Sequence, residues 1–346
     1  MRRIETLIVL LALGFYAWFL RHFGWSDVLH YARLAGWGLL LTIALEGVAR
    51  AANTLGWWVT IENRPRSLGF GQLFAARIAG EAVDYVTPSA QLGGQFVMAM
   101  MVRHKLAMAA GLVSVVVAAL AEMLGQVGFI TGGMLTVLPF EARFHHLLWP
   151  ALGGLTLAIA FAAGFFYVQI RRPFTHLWRA AARLDLSRLA NDELREAAGD
   201  ADALLLEFYS HHRWRLFASC LFYLVAWSLG PVEIYILLML LHEPASWQIA
   251  VLVEVLGQLI ERATFMIPAK LVSQEGGKAL VMAMLGYPAD VGFAIGLLRR
   301  CKEMVWVFFG LTSLTVHRLV VERADRERGV VPQVLKISRA PGEQSL

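Results

Sequence analysis

Charge is scarce in this sequence. Only 16% of its 346 residues are Asp, Glu, Lys or Arg, while 58% are hydrophobic, and the mean hydropathy is +0.58. Soluble domains carry about 25% charged residues, and so few charges cannot screen so much apolar surface from water. A soluble globular domain is excluded. Cysteine is scarcer still: Cys220 and Cys301 both lie inside apolar runs, so no disulfide framework or thiolate metal site can be built from them. No His/Cys/acid spacing typical of a metal centre is present, and no cofactor is expected. A GxxxxGK[ST] phosphate loop is also missing, which excludes ATP hydrolysis of that type. The net charge of +5 is spread between apolar runs rather than gathered on one face, so nucleic acid is not an expected partner.

Long apolar runs are what the chain does have. Several exceed the roughly 18 residues of a membrane-spanning helix, and the basic clusters between them follow the positive-inside rule. The fold class is therefore all-α: a polytopic membrane protein with about six full crossings and two re-entrant, broken-helix hairpins arranged as an inverted repeat. Residues 1–37 hold a first crossing over 5–23 and an amphipathic link. That crossing follows a basic start, and no small-residue cleavage site follows it, so it reads as an uncleaved span. Residues 38–138 form a first repeat, with crossings over 38–60 and 106–138 flanking a hairpin over 69–103. Residues 139–170 carry a further crossing over 147–170, and 171–213 a charged amphipathic cytoplasmic loop. Residues 214–317 form the second repeat, with crossings over 214–242 and 290–317 flanking a hairpin over 246–288. A charged tail, 318–346, follows. Arg-rich segments place both termini in the cytoplasm.

The hairpins are read from two interruptions, "EAVDYVTPSAQLGGQFVMAM" and "ERATFMIPAKLVSQEGGKALVMAM". Glu81 precedes Pro88 by seven residues and Glu261 precedes Pro268 by seven. Gly93 and Gly94 are followed by "QFVMAM", Gly276 and Gly277 by "KALVMAM". The apolar pieces after the glycines, about 95–102 and 278–286, are too short to cross a hydrocarbon core of about 30 Å at 1.5 Å per residue. Backbone broken at that depth survives only inside protein or beside a water-filled cavity. Counting crossings puts the two copies in opposite orientations, a transporter design in which the broken helices meet near the midplane.

Charged side chains at membrane depth cost at least about 2.5–3.5 kcal/mol each on insertion scales and so mark functional cavities. The candidates flanking the hairpins are Arg77, Glu81, Asp84, Glu122, Glu261, Arg262, Lys278, Arg299, Arg300 and Glu303, with Glu46, Arg50, Glu233, Glu254, Lys270, Glu275 and Lys302 at similar depth. Glu46–Arg50, Arg77–Glu81 and Arg299–Glu303 are spaced i, i+4 and can pair along one helix face. Arg299, Arg300 and Lys302 suit an anionic headgroup. Backbone N–H groups around Gly93–Gly94 and Gly276–Gly277 could bind anions at short-helix starts. Glu81 and Glu261 could bind cations or carry protons.

The stretch "RIAGEAVDYVTPSAQLGGQ", the later Pro…Glu-Gly-Gly and the "LLRR…W…FG" span resemble the flippase-like transmembrane family. This is the membrane region of lysylphosphatidylglycerol synthases, which also occurs as stand-alone proteins. The resemblance covers about 5–320 and is nearest to members associated with hopanoid biosynthesis. It implies an inverted-repeat bundle in the bacterial inner membrane that moves a phospholipid or hopanoid-type lipid between leaflets, with membrane lipids as partners. Its cavity positions fall on Glu81, Asp84, Pro88, Gly93, Gly94, Pro268, Gly276, Gly277 and Arg300. The synthases carry an aminoacyl-transferase domain after this region; here the chain ends soon after the last span, so aminoacyl transfer is not expected. No dense His/Asp cluster, nucleophile motif or metal-ligand spacing is visible, so enzymatic activity is not expected either. Asp84 stands where many relatives carry Asn. The alternatives are a membrane enzyme using these acids on a lipid headgroup, and a scaffold for lipid-biosynthesis enzymes.

Overall fold

The computed structural model describes residues 36–87, 92–137, 148–183, 192–263 and 273–327, with Gly14 and Arg33 besides. The first expected crossing, Pro88, Pro268, Lys270, the side chain of Arg262 and the end of the tail lie outside the described residues. Eleven helices and no strand occur among those described. They are α1 (Trp37–Thr60), α2 (Phe70–Val86), α3 (Leu92–Val102), α4 (Met108–Val137), α5 (Leu148–Ile170), α6 (Pro173–Arg183), α7 (Asp192–His211), α8 (Arg213–Leu240), α9 (Trp247–Ala263), α10 (Ser273–Met284) and α11 (Ala289–Glu327).

Three of them are long and apolar enough to cross a membrane on length and composition alone: Met108–Thr136, Ala151–Ile170 and Arg213–Leu240. The expected crossings over 38–60 and 290–317 correspond to α1 and α11. Those helices have 24 and 39 residues and reach about 36 and 58 Å at 1.5 Å per residue. They fall short on composition because each carries charges in its middle, and those charges turn out to face protein. The most lipid-like surface belongs to α5, where Trp149, Leu157, Ile159, Phe161, Tyr167 and Val168 are all exposed. A water-soluble helix would not present such a face, and the protein is an all-α polytopic membrane protein.

The first hairpin is a helix–break–helix unit; in the second, α9 and α10 flank residues 264–272, which lie outside the described residues. Gly69 starts α2 and donates its N–H to Gln72 Oε1. The helix stops at Thr87, the residue before Pro88, where the proline ring disfavours helical backbone. The short returns α3 and α10 have 11 and 12 residues, about 17 and 18 Å, little more than half of a ~30 Å core. Both Gly-Gly pairs lie inside the short helices, in or next to the first turn. The glycines serve close packing. A Cβ on Gly94 would overlap the Gly80 carbonyl and the Asp84 carboxylate, so α3 lies directly against α2.

Packing is reciprocal between the two sets of helices. α1 packs on α8; α2 packs on α11, and α9 on α4; α3 packs on α4, and α10 on α11; α4 meets α8, and α11 meets α1. Small residues permit these approaches, as expected where lipid gives helices no hydrophobic reason to associate. Gly292 and Gly296, one turn apart on α11, have no room for a Cβ against the α10 backbone, and Gly310 has none against Ile78 of α2. One apolar core lies under the second hairpin, around Ile130, Ile234, Leu237, Val253 and Ile295. Another lies under the first, around Trp57, Leu73, Ala76, Met98 and Tyr223. The segment expected as a cytoplasmic loop forms α6 and α7. Asp202 on α7 accepts the Phe174 and Thr175 N–H groups at 3.0 and 2.9 Å, closing the start of α6, while Leu205 and Phe208 pack on Val113 and Val117 of α4.

Candidate functional site

The buried charges join into one ladder that runs from the first hairpin to the second. Glu122 on α4 accepts from Arg77 Nη2 at 2.9 Å, and Arg77 Nε donates to Glu81 at 2.5 Å. The other oxygen of Glu81 meets Arg50 on α1, and Arg50 reaches Glu46 at 3.1 Å. From Glu46 the ladder crosses to Lys302 on α11 at 2.8 Å, then to Glu233 on α8 at 2.6 Å. Arg299 joins Glu233 at 2.8 Å to Glu254 on α9 at 2.9 Å. Lys278 on α10 lies 3.9 Å from Glu254 and 3.8 Å from Glu261. Acid and base alternate throughout, so each cation is shared by two carboxylates. Low-dielectric surroundings make such attraction strong, and losing one partner is expensive, about 3–5 kcal/mol for a fully buried pair.

Local packing explains the aim of the key groups. Tyr223 is fully buried in a slot between Gly56 of α1 and Gly125 of α4, where added Cβ atoms would lie 2.7 and 2.8 Å from it. Its phenol accepts from Arg77 Nη1 at 3.0 Å, so the three polar nitrogens of Arg77 are all engaged. Gly230 opens the face of α8 to Glu254, whose Cδ would lie 2.7 Å from a Cβ there. Pro231 follows inside the same helix and removes one backbone N–H from its ladder. Glu254 also accepts from Gln258 at 2.8 Å, and Gln258 in turn accepts from Gln126 of α4 at 3.0 Å.

A second group lies beside the ladder. Arg300 is completely buried and forms a two-pronged pair with Glu275 of α10, one prong at 2.8 Å. The fork geometry of guanidinium matches a carboxylate in this way. Its Nη1 donates to Tyr85 Oη at 3.4 Å, which ties the ends of both hairpins to α11. Glu303, one turn on, accepts from Gln274 Nε2 at 3.3 Å.

Several expectations are corrected by this geometry. The i, i+4 pairs Glu46–Arg50 and Arg77–Glu81 are present, but Arg299 does not pair with Glu303. It turns to Glu233 and Glu254, which lie across the bundle where no water competes. Arg299, Arg300 and Lys302 are not open cations awaiting an anionic headgroup, since each is held by protein carboxylates. The anion site imagined at the start of α3 is filled from within, because Gly94 N–H donates to Asp84 Oδ1 at 2.7 Å. There the carboxylate meets the positive end of the short helix. On α10, Gly277 is buried against Ile260, while Gly276 is exposed. Tyr85, Tyr223, Gln126, Gln258 and Gln274 were not anticipated; Gln258 carried a signal, lying one turn after Glu254.

No curated protein and no solved structure matches the chain. A family model does, over residues 6–309, the span that holds both broken hairpins and the whole ladder of buried charge. The chain belongs to the family of the lysylphosphatidylglycerol synthase transmembrane region.

Proposed function

We propose that this protein is a lipid translocator of the bacterial inner membrane, not an enzyme, which moves a phospholipid or hopanoid-type lipid between leaflets. The headgroup passes along the ladder while the acyl or polycyclic part stays in the bilayer. One observation carries the reading: alternating charges form a continuous polar track between two broken hairpins, accessible near one and sealed near the other. Side-chain exposure is 23% for Glu46, 26% for Glu81 and 30% for Glu122, against 5% for Glu233, 2% for Glu254 and 9% for Glu261. A static salt-bridge core would have no reason to be open at one end. Because each cation has two carboxylates, a headgroup can replace one contact while the other still holds. This keeps the cost of opening any one step below that of stranding a bare charge.

The matched Glu-to-Pro spacings and the reciprocal helix packing support reading the two sets as inverted repeats, with both termini in the cytoplasm and each hairpin entering from a different face. Lipid analysis resolved by leaflet, on cells lacking the protein and on complemented cells, tests the reading. The expected outcome is one lipid species retained in amount but displaced to the wrong leaflet or membrane. Loss of a species with build-up of its precursor would instead mark a headgroup-modifying enzyme and overturn the proposal.

A further inference from the structure

In the ladder each cation has carboxylate partners; a second cluster of positive groups has none. It lies where the first hairpin ends, in the turn between α3 and α4, against the last part of α11. The His104 and His317 rings are 5.5 Å apart, and Arg103 faces both of them. Lys105 stands beside His104 and donates to the Ser67 carbonyl and, at 2.9 Å, to Gln72 Oε1. Both acceptors are neutral. Among the described residues, none of Arg103, His104, Lys105 and His317 is ion-paired with a carboxylate. Glu62, just after α1, is taken by His212 at 3.2 Å.

Crowding groups of one sign is unfavourable. Burial, Lys105 and Arg103 together hold His104 below the ordinary histidine range. The positive-inside tendency accounts for basic residues at this end, but not for two imidazoles held ring to ring among them. A bound anion reverses the arrangement: it gives the two cations a partner and the imidazole N–H groups an acceptor. Arg103 and His104 are exposed, so an anion can reach them.

The surroundings select the source of that anion. Gly310 lies against Ile78, and Ser313 Oγ donates to the Ala75 carbonyl at 3.0 Å. One turn further along α11, His317 comes level with the first turn of α2. Beside this stripe of α11, Phe309, Val316 and Val320 are exposed. An apolar strip next to clustered cations at the end of a membrane helix fits a lipid, its chains along the strip and its phosphate on the cations. Free phosphate has no use for the strip. An aromatic file then leads towards the open end of the ladder. Phe70 and Phe74 lie at 6.1 Å, Phe74 and Trp306 at 6.2 Å, and the Arg50 guanidinium 5.2 Å from the Trp306 ring.

We propose that Arg103, His104, Lys105 and His317 form a binding site for the phosphodiester of a membrane phospholipid, at the mouth of the first hairpin, where a lipid loads before its headgroup enters the ladder. Only the loading step rests on the translocator reading; the binding site does not. Of the two lipid classes in that reading, the site selects the phospholipid.

Two measurements on the full chain test this. Native mass spectrometry of the detergent-solubilised protein, titrated with phosphatidylglycerol, should show one saturable bound lipid. The triple variant Arg103→Gln, His104→Gln, His317→Gln should bind it about tenfold more weakly, having lost its charge-assisted contacts. Arg213→Gln, which removes an exposed cation from the start of α8, should leave binding intact. An equal loss in Arg213→Gln, competition by diacylglycerol as strong as that by phosphatidylglycerol, or displacement of the lipid by an equal concentration of inorganic phosphate would each overturn the site. If the triple variant melts below the native chain, Arg103→Gln alone carries the test, and unchanged affinity there overturns the site. In liposomes, exchange of labelled phosphatidylglycerol between leaflets should slow several-fold in the triple variant. Exchange at the native rate by a variant that no longer retains the lipid would overturn the loading role. Lipid retained by the native chain and lost in the variant, with exchange by neither, would refute the translocator and leave the site.

Discussion

The two hairpins place the same charge motif in different surroundings. In the first, Arg77 lies between Glu81 and Glu122 with contacts of 2.5 and 2.9 Å, and both acids are a quarter or more exposed. In the second, Lys278 lies between Glu254 and Glu261 at 3.9 and 3.8 Å, and all three are nearly sealed. The cation has also changed helices. Arg77 rises from the long helix α2, whereas Lys278 comes from the short return α10 and reaches over Gly257 of α9, which has no room for a Cβ beneath its Nζ. One motif is built twice from different residues, once open and once closed. Alternating access asks for such an asymmetry in any single state.

Removing the most deeply held cation should have the largest effect. Arg300→Leu strands the buried Glu275 and cuts the link to Tyr85, so it should cost about 3–5 kcal/mol, seen as loss of folded protein or a strongly lowered melting temperature in detergent. The comparison between hairpins is sharpened by paired variants. Lys278→Met leaves two sealed acids facing each other and should also destabilise by about 3–5 kcal/mol. Arg77→Met leaves acids that water reaches and should cost less, about 1–3 kcal/mol, while still impairing transport. Equal losses of stability would erase the open–closed distinction. Gly94→Ala should cost about 1–3 kcal/mol through overpacking against Gly80 and Asp84, measured by the same melting assay. The gentlest test uses single cysteines in a chain with Ser at 220 and 301. Gly93→Cys should react with an impermeant reagent from the cytoplasm, and Gly276→Cys from the opposite face. Labelling of both from one side would break the inverted pairing.

The end of α2 was legible because its cause is local: Pro88 bars helical backbone at the residue before it. The Arg77–Glu81 pair was legible for the same reason, one turn being a fixed distance. Arg299 was misread because the same rule pointed to Glu303, four residues on, while the buried acids Glu233 and Glu254 on other helices hold it at 2.8 and 2.9 Å. Asp84 was recognised as unusual, but its reach to the Gly94 N–H depends on α2 and α3 touching at Gly80, which spacing along the chain does not encode. Tyr223 was invisible for a related reason: an apolar run with one phenol gives no sign that Gly56 and Gly125, on two other helices, form the slot that aims it at Arg77. The charges that lower the hydropathy of α1 and α11 are here turned inward to each other.

The most direct test of lipid movement along this track uses purified protein in liposomes of phosphatidylethanolamine and phosphatidylglycerol, with a headgroup-labelled phospholipid and an impermeant quencher added outside. If the ladder is a headgroup pathway, quenching should proceed beyond the outer-leaflet half of the label and slow markedly in Arg77→Met. Quenching that stops at the outer leaflet, as in protein-free vesicles, for both phospholipids and for a labelled hopanoid, would contradict the account.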